Sequence, residues 1–314
     1  MSSVAAERRA PEPRIRRYTR PLWVSLRLRM LLSWLPGPAL QWLRYLLYYG
    51  KRLPLRHPRT FTERLLVKMG RDRRPLLTRT ADRVAMRSWV EEHVGPGHLP
   101  PLLAVLRDPA DLRTLPLPTS YVVKASHGSQ MVAIVKQDSP EERERVIQRA
   151  RRWLRTSYWR RHGEWGYKHI PRCLVVESFL GAPTDDPPPD WKWYCIGGRA
   201  ALVSYDYDRF VNHHRSFYDP EGHQLDLVMD HRFEPGAPKP APPSFPEMRG
   251  LAETLAQDFD FVRVDLYDRP EGILVGEMTH APLAGLALFD PPEWDQRLGD
   301  LWGAALGEAT PINH

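Results

Sequence analysis

The residues with the clearest chemical content lie between Phe259 and Gly285, in FDFVRVDLYDRPEGILVGEMTHAPLAG. The β-branched and aromatic run FVRVDLY, a turn signal across Asp268 to Gly272 and the apolar ILVGEM after it predict a hairpin. Side chains alternate faces along a strand. Phe261, Arg263, Asp265 and Tyr267 therefore share one face, Val262, Val264 and Leu266 the other, and Glu277 shares a face with Thr279. Pairing symmetric about residue 271 sets Asp265 opposite Glu277 and Arg263 opposite Thr279. Opposed carboxylates destabilise a sheet unless something positive lies between them. Two groups meet that need: a magnesium ion, commonly held by one or two carboxylates together with phosphates, or a base such as Arg263.

Upstream, Lys124 sits inside the apolar run Tyr121 to Ala125, just before the loop Ser126-His127-Gly128-Ser129-Gln130. An unpaired buried ammonium is costly, so this lysine must reach a partner or leave the sheet. The backbone N–H groups of the loop suit an anion, Gly128 permits close approach, and Lys136 brackets the loop from the other side. The chain has 38 Arg and 7 Lys, so two lysines around one glycine loop are informative. Further on, DRFVNHHRSFYD gathers Arg209, Asn212, His213, His214 and Arg215. Its arginines suit bidentate binding of phosphate or carboxylate, whereas its histidines lack a metal-ligand spacing. Glu177, Asp190 and Lys192 stand near strand ends, and on composition alone each reads as a solvated strand-end charge. No GxGxxG, Walker sequence or serine-nucleophile motif is present.

The elements that must position these groups follow from local pattern. Thr60-Phe-Thr-Glu63 is a capping box opening a helix towards Met69, Thr80 to Val94 reads as a second helix, and Asp108 opens a short third. Next come the strand Tyr121 to Ala125, the glycine loop, a strand from Met131 to Lys136, a basic helix capped at Ser139, and the strand Cys173 to Glu177. A Pro-rich surface loop follows at 181–189, then two strands joined at Gly197-Gly198, a second Pro-rich connection at 234–246, a helix from Ser244 and the opening hairpin. A last helix starts after Asp290.

The 314 residues suffice for two or three units with cores of their own. The net charge of +7 is uneven: residues 1–74 hold 18 Lys and Arg against 4 Asp and Glu, a balance of +14, and residues 75–314 hold 27 against 34, a balance of −7. This argues against nucleic acid as a partner of the body and for a basic arm that meets phosphate, an acidic partner or an anionic membrane. Residues 1–20 read as a disordered basic tail without a signal peptide. Residues 21–58 read as amphipathic helices rich in Trp, Tyr and Arg, split at Pro36-Gly37-Pro38; they suit a membrane interface or packing on the body equally. Two cysteines without CxxC spacing suggest neither disulfide nor zinc, and the expected location is cytoplasmic, with peripheral contact at the inner face of the membrane through residues 1–58.

From about Arg59 to Asp300 the order and spacing of RTFTERL, the Asp82 to Arg87 helix, YVVKASHGS, AIVK, WGYK-x-IPR, VVESFL, DWKWYCIGGR, DRFVNHHRSFYD, FVRVDLYD and GEMTHAPLAG resemble the TupA-like branch of the ATP-grasp superfamily. The resemblance implies an α+β ATP-grasp fold in which two α+β subdomains clasp ATP. Residues 119–180 would form the lid and 181–310 the core with the metal site, preceded by a small helical region at 59–118. Lys124 and Lys136 would contact ATP phosphates beneath a closing loop that includes His127, Gly128 and Ser129. Glu177, Ser178, Phe179 and Leu180 would line the adenine site, with Glu177 or Asp190 available to the nucleoside. Lys192, Arg209 and Arg215 would be catalytic residues facing the transferred phosphate, and Asp265, Glu277 and Thr279 would hold Mg2+.

Departures from the family pattern are Gln130 and Met131 where the loop is usually richer in glycine, Thr279 where many relatives carry Asn, and His280 and Leu283 beside it. The activity the resemblance implies is an ATP- and Mg-dependent ligase that joins a small-molecule or polymer-linked carboxylate to an amine through an acylphosphate, in cell-envelope polysaccharide or polymer biosynthesis. A kinase acting on a sugar or alcohol on the same fold, and a non-catalytic membrane-surface protein with a vestigial nucleotide site, are the alternatives.

Overall fold

The computed structural model describes residues 35, 37–182, 184–208, 213–230, 236–237 and 239–308. The 1–20 tail, the first aromatic segment after it and the catalytic candidate Arg209 lie outside the described residues.

Two antiparallel sheets organise the chain. The smaller takes β1 (Leu102–Leu106), β2 (Tyr121–Ala125), β3 (Val132–Val135) and β4 (Leu174–Ser178) in the order β1-β4-β2-β3. The helix α5 (Pro140–Arg155) covers one face with Val146, Ile147 and Ala150 packed on Val123, Ala125 and Val176. Ser139 caps it, its hydroxyl accepting from Glu142 N at 3.1 Å.

The larger sheet runs β11-β10-β5-β6-β7-β8, with β5 (Asp190–Ile196), β6 (Arg199–Tyr207), β7 (His214–Tyr218), β8 (Gln224–Leu225), β10 (Phe261–Arg269) and β11 (Gly272–Thr279). Short β9 (Val228–Met229) and β12 (Phe289–Asp290) pair separately. One face is largely apolar. Trp191, Trp193, Val262, Val264 and Leu266 pack there against α4 (Ala85–Val94) and α7 (Phe245–Ala256). On the opposite face Tyr194, Ile196, Leu202, Phe217 and Phe261 meet Phe61 and Leu65 of α2 (Phe61–Arg71) and Leu298 and Trp302 of α8 (Glu293–Ala305). Further along that same face every strand changes character, to Asp190 and Lys192, Ser204 and Asp206, Arg215, Arg263 and Asp265. Strand periodicity thus splits one surface into a core half and a charged half.

The hairpin register agrees with its sequence, with Asp265 opposite Glu277 and Arg263 opposite Thr279. A bulge then intervenes: Leu266 pairs with Val275, which leaves Gly276 as the extra residue. A Cβ at Gly276 would lie 2.8 Å from the Tyr267 ring, so glycine is required. The bulge lets Ile273, Val275 and Met278 all join the apolar core while Glu277 and Thr279 reach the charged face.

The structure departs from the expected helices in two places and bears on a question the sequence leaves open. The single helix from Thr80 to Val94 is two, α3 (Pro75–Ala81) and α4, because Asp82 Oδ1 takes the Val84 N–H at 2.9 Å and turns the chain. The region 59–118 is not purely helical: Leu102 to Leu106 joins the smaller sheet as an edge strand on β4, and the segment opened by Asp108 is a 3-10 turn. The half of the aromatic segment at α1 (Gly37–Tyr49) packs on the body, with Gln41 and Tyr45 buried, Tyr45 Oη 3.2 Å from Glu63 and Arg44 donating to Ala284 O at 2.8 Å. No helix among the described residues is long and apolar enough to cross a membrane.

The capping box at α2 is present in both directions, Glu63 N to Thr60 Oγ1 and Thr60 N to Glu63 Oε2, each 3.3 Å. Thr60→Ala is expected to lower stability by about 1 kcal/mol in urea unfolding, through loss of a satisfied N–H at the helix start. An unchanged midpoint would show the cap to be solvated in the native state.

Candidate functional site

The charged half of the larger sheet carries the candidate site. Lys192, paired in register with Asp265 across β5 and β10, bonds both Asp190 and Asp265, the latter at 3.0 Å, and lies 3.9 Å from Asp206. Arg215 makes a two-pronged pair with Asp206 at 2.5 and 2.7 Å, and His213 stands 3.4 Å from the same carboxylate. Arg263 grips Asp265 at 2.6 and 2.7 Å and also reaches Glu277 at 3.3 Å. Glu277 is held from the other side by Arg83 at 3.1 Å. Asp190, Asp206 and Asp265 are each under 4% exposed, so their charges persist only because bases lie against them. Four carboxylates meet four bases.

The electrostatic consequences follow burial and partner. Burial opposes ionisation of Asp206, yet Lys192 and Arg215 hold it far below the usual carboxylate range. Burial likewise opposes the charge on Glu277, and the guanidiniums of Arg83 and Arg263 bring it down to about 2. Arg263, whose charge burial disfavours, is pushed up by Asp265, Tyr194 and Glu277.

The smaller sheet brings a second cluster. Lys124 bonds Glu177 at 2.6 Å, and Arg87 of α4 bonds the other Glu177 oxygen at 3.0 Å. Lys136 is 41% exposed and 3.5 Å from Asp186. Phe179 is buried, and Ser178 and Leu180 are half-buried beside it. Asp190 contacts Lys192 on the larger sheet, so it belongs to the carboxylate cluster there. His127, read from sequence as a phosphate-loop residue, is instead turned inward: it is 2% exposed, with Nε2 3.1 Å from Trp153 O, because the loop tucks beneath α5. Gly128 faces an aromatic ring there, since a Cβ would lie 3.0 Å from Tyr158.

Arg83 and Arg87 are the site residues that sequence reasoning missed. Arg83 donates to Ala125 O at 2.8 Å and to Gly128 O at 2.5 Å while holding Glu277, so one guanidinium ties the glycine loop to the hairpin. Their spacing of four, with apolar residues between, was the available signal, but it does not stand out among 38 arginines.

The oxygen donors expected to hold a metal converge on one nitrogen. Arg263 Nη2 lies 2.7 Å from Asp265 Oδ2, 3.3 Å from Glu277 Oε1 and 3.1 Å from Thr279 Oγ1. Two carboxylates and a hydroxyl around a single cationic point are a donor set that fits a hard divalent ion. In this structure the Arg263 guanidinium stands at that point and is the base that lies between the opposed carboxylates.

Arg83→Leu leaves Glu277 with one base and removes the guanidinium donor from Ala125 O and Gly128 O, and is expected to cost about 3 kcal/mol of stability at pH 7. The pH dependence has a definite sign. The Glu277 carboxyl falls from 4.5 to about 2 on folding, so its contribution is present above pH 4.5 and fades as pH falls towards 2. In Arg83→Leu the folded-state carboxyl is less depressed, so that loss is smaller and is complete at a higher pH. Urea unfolding at pH 7, 4 and 3 measures both effects, and parallel curves for the two proteins would refute the assignment.

The model of the TupA-like ATPgrasp family matches residues 63–302. No curated protein matches the chain. Among solved structures, the ATP-grasp ligase PsnB, complexed with a phosphomimetic variant of its minimal precursor, Mg and ADP, is similar at a TM-score of 0.43 and 10% identity over 74% of this chain. This chain spans 60% of the PsnB chain. D-alanine–D-alanine ligase from Bacillus anthracis gives 0.41 and 16% over 74% of this chain and 67% of that one. The enzyme of that name from Helicobacter pylori gives 0.42 and 8% over 74% and 60%. The family match is the stronger finding: it runs from α2 to α8 and takes in both sheets and the ion-paired half of the larger one, so the chain belongs to the TupA-like ATP-grasp family and has the ATP-grasp fold.

Proposed function

We propose that the protein is an ATP- and Mg-dependent ligase that joins a carboxylate to an amine through an acylphosphate. The observation that carries this reading is the convergence of Asp265, Glu277 and Thr279 on one cationic nitrogen, with Lys192 on the same face. Bound together with ATP, magnesium would be held by these three residues and would neutralise phosphate oxygens. Lys192, Arg263 and Arg83 are the bases against the carboxylates, and their part is to offset charge that develops on the transferred phosphoryl group. Lys124 and Arg87, fixed by Glu177, place further positive charge at the smaller sheet, where the resemblance puts the nucleotide. Arg215, oriented by Asp206, extends the basic wall. The assignment to cell-envelope polysaccharide or polymer biosynthesis rests on family analogy.

Mg-ATP is expected to raise the melting temperature of the wild-type chain, and Asp265→Asn with Glu277→Gln is expected to abolish the rise. Phosphate release that tracks amide formation one for one then identifies the ligase. A phosphorylated acceptor with ADP and no free phosphate would replace it with a kinase.

A further inference from the structure

Acids and bases are matched around the first half of α5 and unmatched after it. Asp138 holds Arg143 at 2.6 Å, Glu142 holds Arg145 at 2.5 Å and Glu144 holds Arg113 at 2.8 Å. From Arg149 to Arg172 the chain has 8 Lys and Arg and a single acid, Glu164, which is buried. Taken from the 27 bases and 34 acids of residues 75–314, these leave 19 against 33, so one short segment is strongly positive on an otherwise acidic body. Val146, Ile147 and Ala150 turn inward, which puts Arg149, Arg152 and Arg155 on the outer side of α5, where all three are exposed. Arg152, Arg155 and Arg161 of α6 (Tyr158–His162) form no ion pair among the described residues. The carbonyl end of α5 suits Arg152 and Arg155 but gives no reason for the cations that follow it.

Those further cations are ordered on indole rings. Lys168 Nζ stands 3.9 Å from the Trp165 ring centroid and 5.2 Å from that of Trp159, and Arg73 lies 4.4 Å over Trp165. The two indoles meet edge to face at 6.2 Å, and Arg172 donates to Leu154 O at 2.9 Å, which joins this turn to the end of α5. Val123 and Ala125 face α5, so by alternation the helix covers the reverse of the side on which Lys124 meets Glu177.

We propose that the face from Arg149 to Arg172 docks the protein on an anionic lipid bilayer. Tryptophan beside arginine and lysine is the combination that sits at a headgroup boundary. The place where the N-terminal arm joins the body selects the same partner. The helix α1 starts beside this face, with Gln41 Nε2 donating to Gly163 O at 3.4 Å and Arg44 to His162 O at 2.9 Å. Residues 1–34, outside the described residues, lead into it; they hold 8 Arg against 2 Glu, together with Leu22-Trp23-Val24 and Met30-Leu31-Leu32. An arm of the same sign is repelled by the face and does not cover it. Both therefore call for one partner that takes arginines and apolar side chains together. A nucleic acid meets the first need alone, whereas a bilayer with anionic headgroups meets both.

The test is sedimentation of the full chain with vesicles of phosphatidylcholine, either alone or with about one-third phosphatidylserine. Wild type is expected to partition onto the anionic vesicles, to leave them as salt is raised and to ignore the neutral ones. Arg152→Glu with Arg155→Glu and Arg161→Glu, which leaves residues 1–34 intact, is expected to weaken the partition by about tenfold or more, with the urea midpoint of wild type. Arg152→Gln with Arg155→Gln and Arg161→Gln removes the charges without reversing them; it should bind between the two and decides the matter if the Glu form is unstable. Equal partition of wild type and the Gln form, partition onto neutral vesicles as strong as onto anionic ones, or no partition at all would overturn the proposal. Capture of wild type by single-stranded DNA, without partition onto vesicles, would assign the face to a nucleic acid instead.

Discussion

Charge compensation on one face of a buried sheet is the constraint on which the rest of the structure depends. Asp190, Asp206 and Asp265 are nearly removed from water, and each isolated buried carboxylate would cost several kcal/mol. Lys192 sits among all three because β5 is the central strand between β6 and β10. The cost of such a network is met by the large apolar surface on the reverse of the same strands, where Trp191, Trp193 and the valines of β10 are buried. Stability is supplied on one side and chemistry is held on the other. The four carboxylates and four bases of this face cancel one another, and each base is held in a fixed orientation by its carboxylate.

Much of this was legible in the sequence. Alternation and a short turn suffice to predict that Asp265 faces Glu277, because the side-chain period of a strand is two and each pairing follows from the last. The Thr60 capping box, the Ser139 cap and the Gly197-Gly198 turn are equally local. What stayed hidden depends on contacts between distant segments. Arg83 bonds carbonyls some forty positions away and a carboxylate nearly two hundred away, and nothing near it in the chain marks those partners. His127 looked like a loop residue open to an anion, yet the fold over α5 turned it inward. The edge strand β1 was missed because three of its five residues are exposed apolar side chains, which do not alternate.

The aromatic and basic helix α1 shows why composition leaves such a question open. Trp42, Tyr45, Tyr49 and Arg44 satisfy a membrane interface and a protein groove by the same means, an apolar ring with a polar tip. Here the tips find protein partners: Tyr45 on Glu63, Tyr49 on the Ala287 carbonyl, Arg44 on two loop carbonyls. The helix thus joins the turn at Ala284 to the segment before Glu164, two stretches that sequence order keeps far apart.

The bulge at Gly276 has a wider meaning. Counted straight, Ile273, Val275, Glu277 and Thr279 are all odd-numbered and belong on one face; one unpaired residue puts the first two in the core and the last two over the charged floor. β11 therefore holds two reading frames, one that builds the interior and one that builds the site, joined at a single glycine. Deleting Gly276 would straighten the ladder and leave Val275 and Glu277 as successive residues still on opposite faces, so the glycine bends the strand while the pairing on either side keeps each frame. The shape of this strand is as much a part of the site as any side chain on it.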